Sequence, residues 1–195
     1  MKHLQIDEIQ DNEHYELSRE SFRADIVRLK MLRRVSVGDL ITLVFENRST
    51  IQFQIQEIMR AEKIVSHQRV QEELDTYNVL LPGTNQLTAT LFIEVTDQPR
   101  MRETLDRLIG IDRGDALFLE IGGERMAGEF EGGHSNEVRV SAVHFVTFNL
   151  TPKQANAITT ATAPVSLVVD HPDYQASVSL SADVLASLAD DLNAE

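Results

Sequence analysis

Residues 40–55, LITLVFENRSTIQFQI, set the expectation for the fold. Leu40 to Glu46 is rich in β-branched and aromatic side chains, Asn47-Arg48-Ser49-Thr50 supplies turn chemistry, and Ile51, Phe53 and Ile55 alternate with Gln52 and Gln54. The stretch reads as a β-hairpin whose second strand turns its apolar side chains to the core and its glutamines to the opposite face. Before it, Tyr15, Phe22, Ile26 and Leu29 recur at helical spacing and predict an amphipathic helix from about Glu13 to Arg34, closed by Gly38-Asp39. After it, Gln56 to Ile64 reads helical, and Val70, Leu74 and Tyr77 mark a further helix with Ser66 as its N-cap.

Gln86 to Val95, Ala116 to Ile121, Arg139 to Asn149 and Val165 to Val169 read as strands, and Arg100 to Ile109 as a short helix. Thr151-Pro152-Lys153-Gln154 combines an N-cap, a Pro at the first helical position and a Gln three residues after the cap, so a helix begins there. Asp170-His171-Pro172-Asp173 reads as a turn, and Ser181 caps a closing helix with Val184, Leu185, Leu188 and Leu192 inward. Residues 122–134, GGERMAGEFEGGH, are expected to form a hairpin with mobile turns, since the spacing matches no phosphate loop or dinucleotide fingerprint. Paired strands interrupted by helices predict an α+β fold in one domain over residues 1–195, with a mainly antiparallel sheet or open barrel of about seven to eight strands and flanking helices.

The chain contains no cysteine, which excludes disulfides, a thiolate nucleophile and thiolate-held zinc or iron–sulfur groups. No apolar run approaches a membrane span and the first residues lack a signal-peptide pattern, so a cytoplasmic protein without membrane contact is expected. A net charge of −13 disfavours nucleic acid as a partner. The charge is uneven: Arg19, Arg23, Arg28, Lys30, Arg33 and Arg34 face only Glu20 and Asp25 within their segment, making the first helix a basic object on an acidic body.

Three constellations bear on function. Arg48, Gln52, Gln54 and Gln56, together with Arg19 and Arg23 of the first helix, form a candidate interaction surface; the plainer reading is a solvated face with its arginines paired. Glu46 belongs to the same neighbourhood, beside Glu57 and Glu62. Glu72 and Glu73 add carboxylates on the following helix, and two carboxylates with a histidine from elsewhere would hold a divalent ion. His144 lies in a strand apolar on both faces, and His171 lies between Asp170 and Pro172, where a turn can present a side chain. Either histidine also fits a structural role, bonded to neighbouring backbone.

FENRSTIQFQIQEIMRAEKI, QEELDTYNVLLP, LTATLFIEV, SAVHFVTF and DHPDY, in that order, resemble segments of a bacterial family known as a domain of unknown function of the 3501 class. The resemblance brings no activity. It implies a place in peroxide or redox metabolism, because genes of that family commonly lie beside those for rubrerythrin and an iron–sulfur oxidoreductase. The leading expectation is therefore a non-enzymatic accessory or binding protein that docks to such a partner, with no cofactor of its own. The rival is a metal-dependent enzyme or metal-binding protein using His144, His171, Asp170 and the acids Glu57, Glu62, Glu72 and Glu73.

Overall fold

A computed structural model describes residues 1–132 and 140–194. The first helix, α1 (Asn12–Leu32), starts where the Asp11 carboxylate accepts hydrogen bonds from the backbone N–H groups of Glu13 and His14. Its Tyr15 and Ile26 are buried, whereas Phe22 and Leu29 are half-buried. Phe22 packs edge-on between Tyr15 and Phe53. The chain then enters β1 (Arg34–Val37), a strand the sequence reading did not anticipate, in which Val35 and Val37 alternate inward. Gly38 turns it into β2 (Ile41–Glu46) at φ +72°. A Cβ at that position would lie 2.2 Å from Tyr174 Oη, so close approach and the left-handed backbone both require glycine.

The predicted hairpin is half wrong. Leu40–Glu46 is a strand, but residues 48–62 form one continuous helix, α2 (Arg48–Glu62). Asn47 is its N-cap, accepting from Thr50 N–H while the Thr50 hydroxyl accepts from Asn47 N–H. Ile51, Ile55 and Met59 recur every four residues along its buried face. Over the five residues 51–55 an alternation and a helical stripe give the same marks at both ends, and only the continuation to Met59 separates the periods. Helix α3 (His67–Asn78) begins at the expected Ser66 cap and buries Val70 and Leu74. With Leu4, Ile64 and Leu81 these residues form a small second hydrophobic cluster.

The remaining elements are β3 (Gln86–Ile93), α4 (Met101–Arg107), β4 (Leu117–Ile121), β5 (Glu124–Ala127), β6 (Glu129–Phe130), β7 (Val143–Asn149), α5 (Pro152–Thr159), β8 (Val165–His171), β9 (Tyr174–Ser179) and α6 (Ala182–Asn193). The expected α+β class holds, as two open antiparallel sheets ordered β1-β2-β3-β7-β6 and β5-β4-β8-β9, with nine strands among the described residues. The count exceeds the expectation because β1 and β9 went unread. Asp170 and His171 belong to β8, so the hairpin turn contracts to Pro172-Asp173. Capping at Thr151 and Ser181 is as expected.

Alternate residues of both sheets, Leu43, Phe45, Leu91, Val146 and Phe148 from one and Leu117, Leu119, Leu167 and Val169 from the other, share one core. The chain crosses between sheets at Gly128, where a Cβ would sit 2.7 Å from Val146 Cγ1. Glycine there serves tight packing, with Gly128 N–H donating to the Leu117 carbonyl at 2.8 Å. Of the glycine-rich segment, Gly133 and His134 lie outside the described residues, as does Arg139 of the predicted long strand.

Candidate functional site

Four of the six residues of the anticipated interaction surface, Arg19, Arg48, Gln52 and Gln56, bond to the chain itself. On a helix Gln52 and Gln56 share a face and Gln54 does not, which breaks the expected row. Gln52 Nε2 donates to the Glu8 carbonyl at 2.9 Å, and Gln56 exchanges two bonds with the Gln10 backbone at 2.8 and 3.0 Å. Arg48 binds the Glu8 carboxylate and the Lys2 carbonyl. These side chains hold the N-terminal segment against α2. Arg19 forms a two-pronged pair with Glu57, at 2.7 and 2.8 Å, and Tyr15 Oη donates to the same carboxylate at 2.7 Å. That pairing holds the Glu57 carboxyl below the usual carboxylate range despite partial burial, and burial raises the Tyr15 phenol. Arg23 and Gln54 remain at the surface, Arg23 exposed and Gln54 half-buried.

The candidate metal ligands do not converge. Among the described residues no group of three or more His, Asp or Glu side chains is placed to hold a metal ion. Glu62 pairs with Arg69 at 3.0 Å, Glu72 accepts from Gln68 at 3.0 Å, and Glu73 is half-buried beside Tyr77. Asp170 is exposed and shares Arg125 with Glu120. His171 is not presented by the turn: it is 5% exposed, its Nε2 donates to the Ile109 carbonyl at 3.2 Å, and its Nδ1 accepts from Asp173 N–H at 3.2 Å. His144 is fully buried on the core face of β7, its Nε2 donating to the Ser141 carbonyl at 2.8 Å, with Asp112 4.0 Å from Nδ1 and the Phe130 ring edge-on. His171 thus holds the Ile109 end of the 109–112 turn, while the hydrogen bond of His144 goes to Ser141.

What the structure does bring together is a cleft of about 380 Å³ on the face of the five-stranded sheet turned away from the main core. Strand register pairs Glu46 with Thr88, Thr88 with Thr147, and Thr147 with Glu129, so one polar row crosses four strands. Phe145 lies one row along the same face, and Gln86 Nε2 donates to Asn149 Oδ1 at 2.7 Å one row the other way. One wall is the turn after α3: the Thr88 hydroxyl holds the Leu80 carbonyl at 2.9 Å, which leaves Val79 66% exposed at the lip. The opposite wall is β6 with Glu131 beyond it.

Glu46 ends the row as a carboxylate only 3% exposed. Its Oε1 accepts from the Thr90 hydroxyl at 2.6 Å, with Lys30 Nζ at 3.8 Å, while Oε2 is buried without a hydrogen-bond partner. Just behind it lies a second buried charge. Arg33 donates to the Phe45, Glu46 and Ser187 carbonyls and the Ser187 hydroxyl, and pairs with Asp191. Burial pushes the Asp191 carboxyl up against the pull of Arg33. Glu46 stood among the sequence candidates; Thr88, Glu129, Phe145 and Thr147 did not. Their signal was present in strand alternation, which gives a residue's face but not its cross-strand neighbour.

The family model described as "Protein of unknown function (DUF3501)" matches residues 3–192. The chain belongs to the DUF3501 family. Its fold is that of a crystal structure of a protein of unknown function from Burkholderia pseudomallei K96243, 35% identical, with a TM-score of 0.89 over 98% of this chain and 100% of that one. No curated protein matches it. Among the described residues no helix of this DUF3501 protein is long and apolar enough to cross a membrane.

Proposed function

We propose that this protein is a non-catalytic accessory protein of a redox or peroxide-handling system, and that it receives its ligand or partner in the cleft between β6 and the turn after α3. The observation that carries this reading is the convergence of a buried, half-matched carboxylate, a polar strand row and apolar walls in one concave site. The residues with the chemistry for a reaction are used otherwise: both histidines bond backbone, and Glu57 and Glu62 are ion-paired. The family resemblance supports the redox setting, with rubrerythrin or the iron–sulfur oxidoreductase as the partner. A pulldown from native cells under reducing, oxygen-free conditions should recover one of these with the native protein and lose it with Thr147→Trp, which fills the cleft. Recovery of neither, or equal recovery by both baits, would overturn the reading.

A further inference from the structure

Building on the cleft as the binding site, we infer that it takes a cationic group, an ammonium or guanidinium carried on an apolar stem. The Glu46 carboxylate is the reason. An unmatched buried acceptor costs about 1–3 kcal/mol, and more when charged, so a donor brought to the Glu46 carboxylate from the cleft recovers part of that penalty. Lys30 does not remove it, because its Nζ stands 3.8 Å from the other oxygen.

The rest of the lining selects the same chemistry. Among the described residues it contains the carboxylates Glu46, Glu129 and Glu131 and the Thr147 hydroxyl, so an anion would meet repulsion. Val79 and Leu80 give apolar surface for a stem. A divalent metal fits less well, since a hard cation collects about six oxygen ligands and no three-carboxylate group is assembled among the described residues. The body's net charge of −13 draws cations toward the site from a distance.

Two sources carry this chemistry, a free amine or a Lys or Arg side chain of a protein partner. Calorimetric titration of the full chain with n-hexylamine, agmatine, n-hexanol, hexanoate and end-blocked tripeptides centred on Lys or Arg separates them. Hexylamine and agmatine should bind, hexanol far more weakly, and hexanoate not at all. Glu46→Gln should weaken amine binding by about ten- to a hundredfold and leave hexanol unchanged. Thr147→Trp should abolish amine binding by steric filling, a route independent of Glu46. Peptide affinity at least about tenfold above that of the free amines assigns the cation to a partner's side chain, and the reverse assigns it to a small molecule. If hexanol or hexanoate binds as well as hexylamine and Thr147→Trp blocks both, the cation inference falls and the cleft stands. If no probe binds, or the blocked variant binds like the native chain, both fall.

Discussion

Arg33 and Glu46 are neighbours, both buried, and opposite in how they are matched. The guanidinium fills its bonding capacity with three carbonyls, a hydroxyl and a carboxylate, and one of those carbonyls is that of Glu46 itself. The Glu46 side chain has one oxygen bonded and one not. A buried charge with every bond made is a fastening: it ties the end of α1 to β2 and α6. A buried charge left half-made beside a cleft is, on the proposed reading, a site whose remaining bond is supplied from outside. The α1–α2 surface is saturated in the way Arg33 is, since Arg19, Arg48, Gln52 and Gln56 all have partners within the chain.

Asp191→Ala tests the saturated half and should have the largest effect. It leaves the Arg33 guanidinium buried without its counter-charge, which costs about 3–5 kcal/mol of stability, read from the shift in urea midpoint at unchanged slope. A loss under about 1 kcal/mol would mean that the carbonyls alone satisfy Arg33. Gly128→Val tests the wall of the cleft. Its Cβ would press on Val146 and Phe148 in a packed core, an overpacking of about 1–3 kcal/mol, and because Glu129 follows directly, any amine binding should weaken with it. Full stability in this variant would show that the crossing between sheets has slack.

The sequence disclosed local features well and relational ones badly. The caps at Ser66, Thr151 and Ser181 were legible because each is a side chain bonding a backbone N–H within three residues. Strand β7 was legible from alternation, but with apolar side chains on both faces the pattern left open which face, and so His144, turns to the core. The helix at Ile51 to Ile55 was not, because five residues do not separate a period of two from one of 3.6, and the Asn47–Thr50 capping box was read as a turn. The cleft was hidden for a deeper reason. Glu46, Thr88, Thr147 and Glu129 lie on four strands between positions 46 and 147, and only register makes them one row. Likewise nothing local in Gln52 or Gln56 reveals that residues 8–10 will cover them.

Glu57→Gln sharpens the comparison through pH, because Glu57 is a saturated carboxylate. Its folded-state pKa is lowered, chiefly by the Arg19 hydrogen bonds, so its stabilisation is present above the unfolded value near 4.5 and is lost as pH falls through the lower folded value. The variant should therefore be less stable than the native chain by about 1–2 kcal/mol at pH 7, discounted for its partial exposure, and the gap should close as the pH falls through the lowered folded value. Urea unfolding of both chains at pH 7, 5 and 3 gives the profile. A gap that stays constant over that range would assign the loss to packing.

Glu46→Gln carries the smallest expected change in stability and decides most about the comparison. If Glu46 were a fastening like Arg33, removing its charge would cost several kcal/mol, as for any broken buried pair. As a half-matched carboxylate it already bears a desolvation penalty that one hydroxyl bond and a distant ammonium offset incompletely. A glutamine of nearly the same shape keeps an acceptor for the Thr90 hydroxyl and sheds the charge. The ligand-free variant should then be as stable as the native chain at pH 7 or more stable by up to about 1 kcal/mol, measured by urea unfolding in buffer free of amines. The sign is the test: a loss above about 2 kcal/mol would make Glu46 a structural partner of Thr90 and Lys30 and remove the acceptor on which the cleft's proposed chemistry depends, whereas a neutral or positive change shows that the buried charge of Glu46 is a cost to the fold, which a bound cation would relieve.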